Sequence, residues 1–129
     1  GEMVGTVMYM APEVINSHPY TAESDIWSLG VILYEICTNN RPFGNQVVDQ
    51  ASIMTQILST EPEDIPQTYS QDLQALVRSL LQKDVSQRPN SKQVISMPYV
   101  SQYLEKFEKK QLSSFELHYR EELDPEIAF

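Results

Sequence analysis

Apolar residues crowd one stretch of this chain more than any other. Between Glu23 and Asn40, in ESDIWSLGVILYEICTNN, the residues Ile26, Trp27, Leu29, Val31, Ile32, Leu33 and Ile36 fall too densely for a single helical face. That spacing predicts a helix apolar all round, which belongs at the centre of a domain. Ser24 or Asp25 is the expected N-cap, and Asn39, Asn40 and Pro42 stop the helix. It is too short, and too acidic at both ends, to span a bilayer.

The rest of the pattern is milder. A more exposed helix is predicted over Val47 to Ser59, with Ile53, Met54, Ile57 and Leu58 as its apolar edge. The prolines of TEPEDIPQ make a loop. SQDLQALVRSLLQKD then sets Leu73, Leu76, Val77, Leu80 and Leu81 on one stripe behind Ser70 as N-cap, an amphipathic helix. VSQRP is a turn, Asn90 caps a short helix through Val94 and Ile95, and Pro98 ends it. Tyr103, Leu104 and Phe107 recur at helical spacing in the tail, and no segment reads as a strand. The expected fold class is mainly α.

Composition narrows the function classes. A chain of 129 residues suits one domain, and 41% hydrophobic with 21% charged residues is ordinary for a globular one. The net charge is −9 and the first basic residue is Arg41, so no phosphate-gripping face is expected. Nucleic acid and anionic membrane are excluded as partners on that ground. Cys37 is the single cysteine, which rules out an internal disulfide and reads as a small core residue. With no signal peptide or long apolar span, an intracellular, cytoplasmic setting is expected, with cytoskeletal and nuclear placement as alternatives. The chain begins with Gly1 rather than Met, and an upstream segment is expected before it.

Four stretches then stand in a telling order: GT-x-x-YMAPE from Gly5, SDIWSLGVILYE from Ser24, RPF from Arg41, and LVRSLLQKD-x-S-x-RP from Leu76. Together they resemble the lower half of a eukaryotic protein kinase domain, over roughly Gly5 to Val100. PYTAESDIWSLG, ICTNNRPF and YLEKF are most similar to the NIMA-related serine/threonine kinases. The resemblance implies the helical C-lobe portion of a kinase-like fold whose parent domain is α+β, with the N-lobe and catalytic loop absent. It divides the chain into a partial kinase domain, 1–104, and an acidic helical extension, 105–129.

The same resemblance assigns roles. Thr6 matches the threonine whose hydroxyl bonds the catalytic aspartate and lysine, and Val7, Met8, Tyr9 and Met10 match the loop that seats the residue after the phosphoacceptor. Glu13 and Arg88 match a structural ion pair, suited to the planar fork of a guanidinium. Asp25 matches the anchor of the catalytic loop, and Trp27 and Gly30 match core positions of the same helix. Two departures stand out: Val7 replaces the usual proline after GT, and Val85 replaces the usual proline before Arg88.

Phosphoryl transfer in that family uses a glycine-rich loop, a strand lysine, an HRD loop and DFG. The four glycines here stand at 1, 5, 30 and 44, no lysine precedes Lys83, and neither His18 nor His118 sits in HRD. The segment therefore carries no catalytic residue, cofactor-binding residue or metal ligand, while ATP and magnesium belong to the parent. Its expected partners are the missing N-terminal half and the parent's protein substrates. The alternative is a truncated kinase acting as a non-catalytic protein-binding module.

Overall fold

A computed structural model describes residues 7–47 and 49–122, with side chains to residue 114. Among the described residues six helices follow in order: α1 Pro12–Ile15, α2 Ala22–Thr38, α3 Gln50–Ser59, α4 Gln71–Leu80, α5 Ser91–Ser96 and α6 Pro98–Glu122. No strand occurs among the described residues, so the mainly helical expectation holds. The chain forms two compact units, Gly1–Lys92 and Gln93–Phe129. Among the described residues, no helix is long and apolar enough to cross a membrane.

Helix α2 starts earlier than the sequence suggests. Its N-cap is Thr21, whose backbone N–H donates to Ser24 Oγ at 3.1 Å. Ser24 is thus the third helical residue, closing the return half of a capping box rather than capping the helix itself. At the other end Asn39 takes the left-handed conformation, φ 56°, and its N–H returns to Glu35 O at 2.7 Å. Asparagine tolerates that geometry better than most residues, which makes it an effective stop. Helix α3 begins at Gln50 rather than Val47 because the Asp49 carboxylate accepts from Ser52 N at 2.9 Å and fixes the start there. Ser70 caps α4 as expected, accepting from Leu73 N at 3.2 Å.

The core of the first unit gathers around α2. Trp27, Val31 and Tyr34 meet Ile53 and Ile57 of α3, Val77 of α4 and Leu81 just after it, with Phe43 and Ile65 from the connecting loops. Trp27 stacks on Phe43, ring centroids 5.8 Å apart. Helices α2 and α4 approach closely at Gly30, where an added Cβ would lie 2.8 Å from Leu80 Cβ. The other side of α2 is different. Leu29, Ile32 and Ile36 are exposed, Ile36 by 73%, so the helix expected to be buried all round is covered on one side only. Cys37 is half-buried beside the core, and burial raises its thiol pKa.

In the second unit, α6 carries Tyr103, Phe107 and Leu112 exposed along its length. Tyr99 meets Tyr103 edge to face at 5.2 Å.

Candidate functional site

The segment from Val7 to Glu13 is short, yet both α2 and the turn that carries Arg88 hold it. Met10 N–H closes a turn onto Val7 O at 3.0 Å. Val7 and Met8 are buried in the core cluster, while Tyr9 is 38% exposed and Met10 is half-buried. Ser28, one turn into α2, donates its hydroxyl to Tyr9 O at 2.9 Å. The Tyr9 hydroxyl reaches both oxygens of Glu35, at 3.1 and 3.2 Å, near the far end of α2. The four loop residues therefore do not share a pocket wall. Two point inward and anchor the loop, and the tyrosine faces a polar hollow of about 280 Å³ bordered by Glu35, Asn39 and Arg41. Thr6 lies outside the described residues.

Glu13 follows in α1, helped into place by Pro12 at the helix start, where a missing N–H costs nothing. Arg88 meets it from a position 75 residues later: Nη1 donates to Oε2 and Nη2 to Oε1, both at 2.9 Å. The side chains are 0% and 8% exposed, so this is a buried, two-pronged ion pair. Its neighbours complete the hydrogen bonding that such a pair needs in the interior. Arg88 Nη1 also donates to Glu23 O at 2.8 Å, Nε donates to Gln82 O at 2.9 Å, and Ser24 Oγ donates to Glu13 Oε2 at 2.9 Å. The guanidinium carbon lies 5.3 Å from the centre of the Trp27 ring. Burial pushes the Glu13 carboxyl upward, but the hydrogen bonds from Arg88, its own backbone N–H and Ser24 outweigh it and hold the pKa below the usual value.

Asp25 sits in the first turn of α2 on its exposed side and accepts a hydrogen bond from the Tyr20 hydroxyl. Trp27 is fully buried, and its Nε1 is the buried side-chain polar atom left without a partner among the described residues. Three partnerships escaped the sequence: Tyr9 with Glu35, Ser24 with Glu13, and Tyr20 with Asp25. Glu35 left one trace, as a lone acid inside the apolar run LYEIC.

This arrangement can hold a loop rigidly against a helical core. Among the described residues no group of three or more His, Cys, Asp or Glu could grip a metal ion. No glycine-rich loop is present to cradle phosphates, so the residues do not fit ATP and magnesium.

The protein kinase domain family matches residues 1–100. The chain belongs to the protein kinase family. Within it, the chain is similar to NIMA-related serine/threonine kinases. It is 35% identical over 103 residues to human "Serine/threonine-protein kinase Nek11", covering 80% of this chain and 16% of that protein. It is 36% identical over 102 residues to "Serine/threonine-protein kinase Nek6" of Oryza sativa subsp. japonica, covering 79% and 19% respectively. With "Probable serine/threonine-protein kinase nek3" of Dictyostelium discoideum the identity is 38% over 103 residues, covering 79% and 9%. The chain thus spans less than a fifth of the length of these relatives, and what it carries is part of a kinase domain.

Proposed function

We propose that residues 1–104 form the substrate side of a serine/threonine protein kinase, and that 105–129 form a helical extension from it. The parent transfers the γ-phosphate of ATP, as its magnesium complex, to serine or threonine hydroxyls of protein substrates. In this reading the loop Thr6 to Met10 seats the acceptor segment, with Val7 and Met8 holding it to the core, and Asp25 anchors the loop that bears the catalytic aspartate. The Glu13–Arg88 pair holds the seat against the core. A cytoplasmic setting goes with ATP as donor.

One observation carries the reading: a buried two-pronged pair joins the YMAPE loop to the turn before α5, with every Arg88 nitrogen donating. A loop fixed this way is preorganised, and a misplacement of about 1 Å at such a site can cost roughly 100-fold in rate. The test uses the full-length protein from its own source, with ATP, magnesium and a serine/threonine peptide library. Phosphate should appear on serine or threonine. Arg88→Lys keeps the charge but loses the fork, and should lower kcat/KM for peptide by about 100-fold while leaving ATP affinity unchanged. No phosphate transfer by the unaltered protein would remove the kinase reading.

A second reading rests on α6, where Tyr103, Phe107 and Leu112 are exposed. There the segment serves as a non-catalytic protein-binding module, and partner binding through α6 would persist without transfer.

A further inference from the structure

A second cavity, of about 210 Å³, opens between the end of α2, the loop that follows α3, and α4. It lies below the range of about 300–1,000 Å³ usual for drug-sized ligands. Its size suits one side chain rather than a cofactor. Ile65, Val77 and Leu81 give it an apolar floor, and all three are buried.

The polar groups around it are unevenly paired. Three carboxylates, Glu61, Glu63 and Asp64, face two cations, Arg78 and Lys83. Arg78 Nε is already paired with Asp64 at 3.1 Å. Lys83 Nζ donates to Ile57 O at 2.6 Å and stands 4.4 Å from the centre of the Phe43 ring. Its ammonium is thus engaged with α3 and the aromatic stack, and the Glu61 charge also acts on it. Glu61 and Glu63 keep carboxylates with no hydrogen-bond partner among the described residues.

Tyr34 supplies the independent sign. It is 5% exposed and lines the cavity, yet its hydroxyl has no hydrogen-bond partner among the described residues. The ring is buried while the hydroxyl opens on the cavity, where it is available to a group that enters. Burial raises its pKa, and the charges of Glu63 and Asp64, which line the same cavity, raise it further.

We propose that this cavity receives the arginine or lysine side chain of a partner protein. The methylene stem lies on Ile65, Val77 and Leu81, as long basic side chains pack along apolar surface while the head stays polar. The cationic head meets Glu61 and Glu63 and donates to the Tyr34 hydroxyl oxygen. The site is separate from the Tyr9 loop, and it does not depend on phosphoryl transfer.

The full-length protein, labelled with 13C at its methyl groups, is titrated with acetyl-Ala-Arg-Ala-amide and with the same peptide carrying citrulline, the neutral counterpart of arginine. The arginine peptide should shift the methyl signals of Ile65, Val77 and Leu81. The citrulline peptide should bind about tenfold more weakly, which corresponds to 1.4 kcal/mol. Glu61→Gln combined with Glu63→Gln should produce a comparable loss. Both positions are at the surface, so that variant tests the site without disturbing the core. Shifts confined to the Tyr9 loop, equal binding of citrulline, or no shift at the three methyls would each overturn the assignment.

Discussion

The two sides of helix α2 carry nearly the same chemistry and meet opposite fates. Trp27, Val31 and Tyr34 are buried in the core, whereas Leu29, Ile32 and Ile36, interleaved with them, are exposed. Both sets recur at helical spacing, so hydrophobic periodicity alone cannot rank them. What separates them is what each side is given to touch. The inner side faces α3, α4 and Phe43, and it carries Gly30, which lets α4 come close. Among the described residues the outer side carries the Asp25–Tyr20 bond at its head, and Tyr9 spans Ser28 and Glu35 along its flank. One face is finished, and the other has the composition of a core without its cover.

The strongest way to break the finished side is to remove one member of the buried pair. Glu13→Ala or Arg88→Ala should each cost about 3–5 kcal/mol, because the survivor is a buried charge without a partner. The double variant should cost less than the sum, and the coupling is read by a double-mutant cycle. Trp27, the only tryptophan of the chain, lies under Arg88, so its fluorescence follows the loss directly. The pair also sets a dependence on acid. Glu13 titrates lower in the folded protein than the usual carboxyl, so its contribution is complete above a pH of about 4.3 and is lost as pH falls through the lower folded value. Glu13→Gln should flatten that part of the stability curve. An unchanged acid limb would show that other carboxylates govern it.

A smaller break targets the contact between helices. Gly30→Ala places a methyl 2.8 Å from Leu80 Cβ and 3.0 Å from Leu81 Cδ2. Leu80 Cβ is rooted in the backbone and cannot swing away, so α2 and α4 must separate. Overpacking of that kind costs about 1–3 kcal/mol, against a gain of about 0.5–1 kcal/mol from replacing a helical glycine. Net destabilisation should appear as a lower midpoint in urea with the slope unchanged. A neutral result would mean that the helices slide apart freely.

Much of this architecture was legible before any coordinates. The Ser70 cap, the α4 stripe and the four family stretches are local or ordered patterns, and local chemistry decides them. Two helix starts were less legible, because Thr21 competes with Ser24 and Asp25 as a cap, and the apolar Val47 draws the start of α3 ahead of Asp49. Tyr9 with Glu35 and Ser24 with Glu13 were hidden, since a pair 26 or 11 residues apart leaves no periodic trace. Glu13 and Arg88, 75 residues apart, came to notice only because the family stretches that carry them stand in the familiar order. Which side of α2 stays open is beyond any reading of one helix, because it is a property of its neighbours.

That open side yields the smallest effect and the sharpest contrast. In the 129-residue chain Ile36→Ala should change stability by no more than about 0.5 kcal/mol, as surface changes usually do, since Ile36 is 73% exposed. On the kinase reading, residues of the parent domain cover Leu29, Ile32 and Ile36 in the full-length protein. The same substitution should then cost about 2–5 kcal/mol, the range for emptying a buried isoleucine site. Thermal unfolding of the two pairs of proteins reads the difference without any assay of activity. A small effect in both would mean that the outer face stays uncovered in the whole protein, and Asp25 would then have no loop to anchor. A large effect only in the longer protein would mean that the apolar outer face of α2 is core after all, completed by residues elsewhere in the kinase.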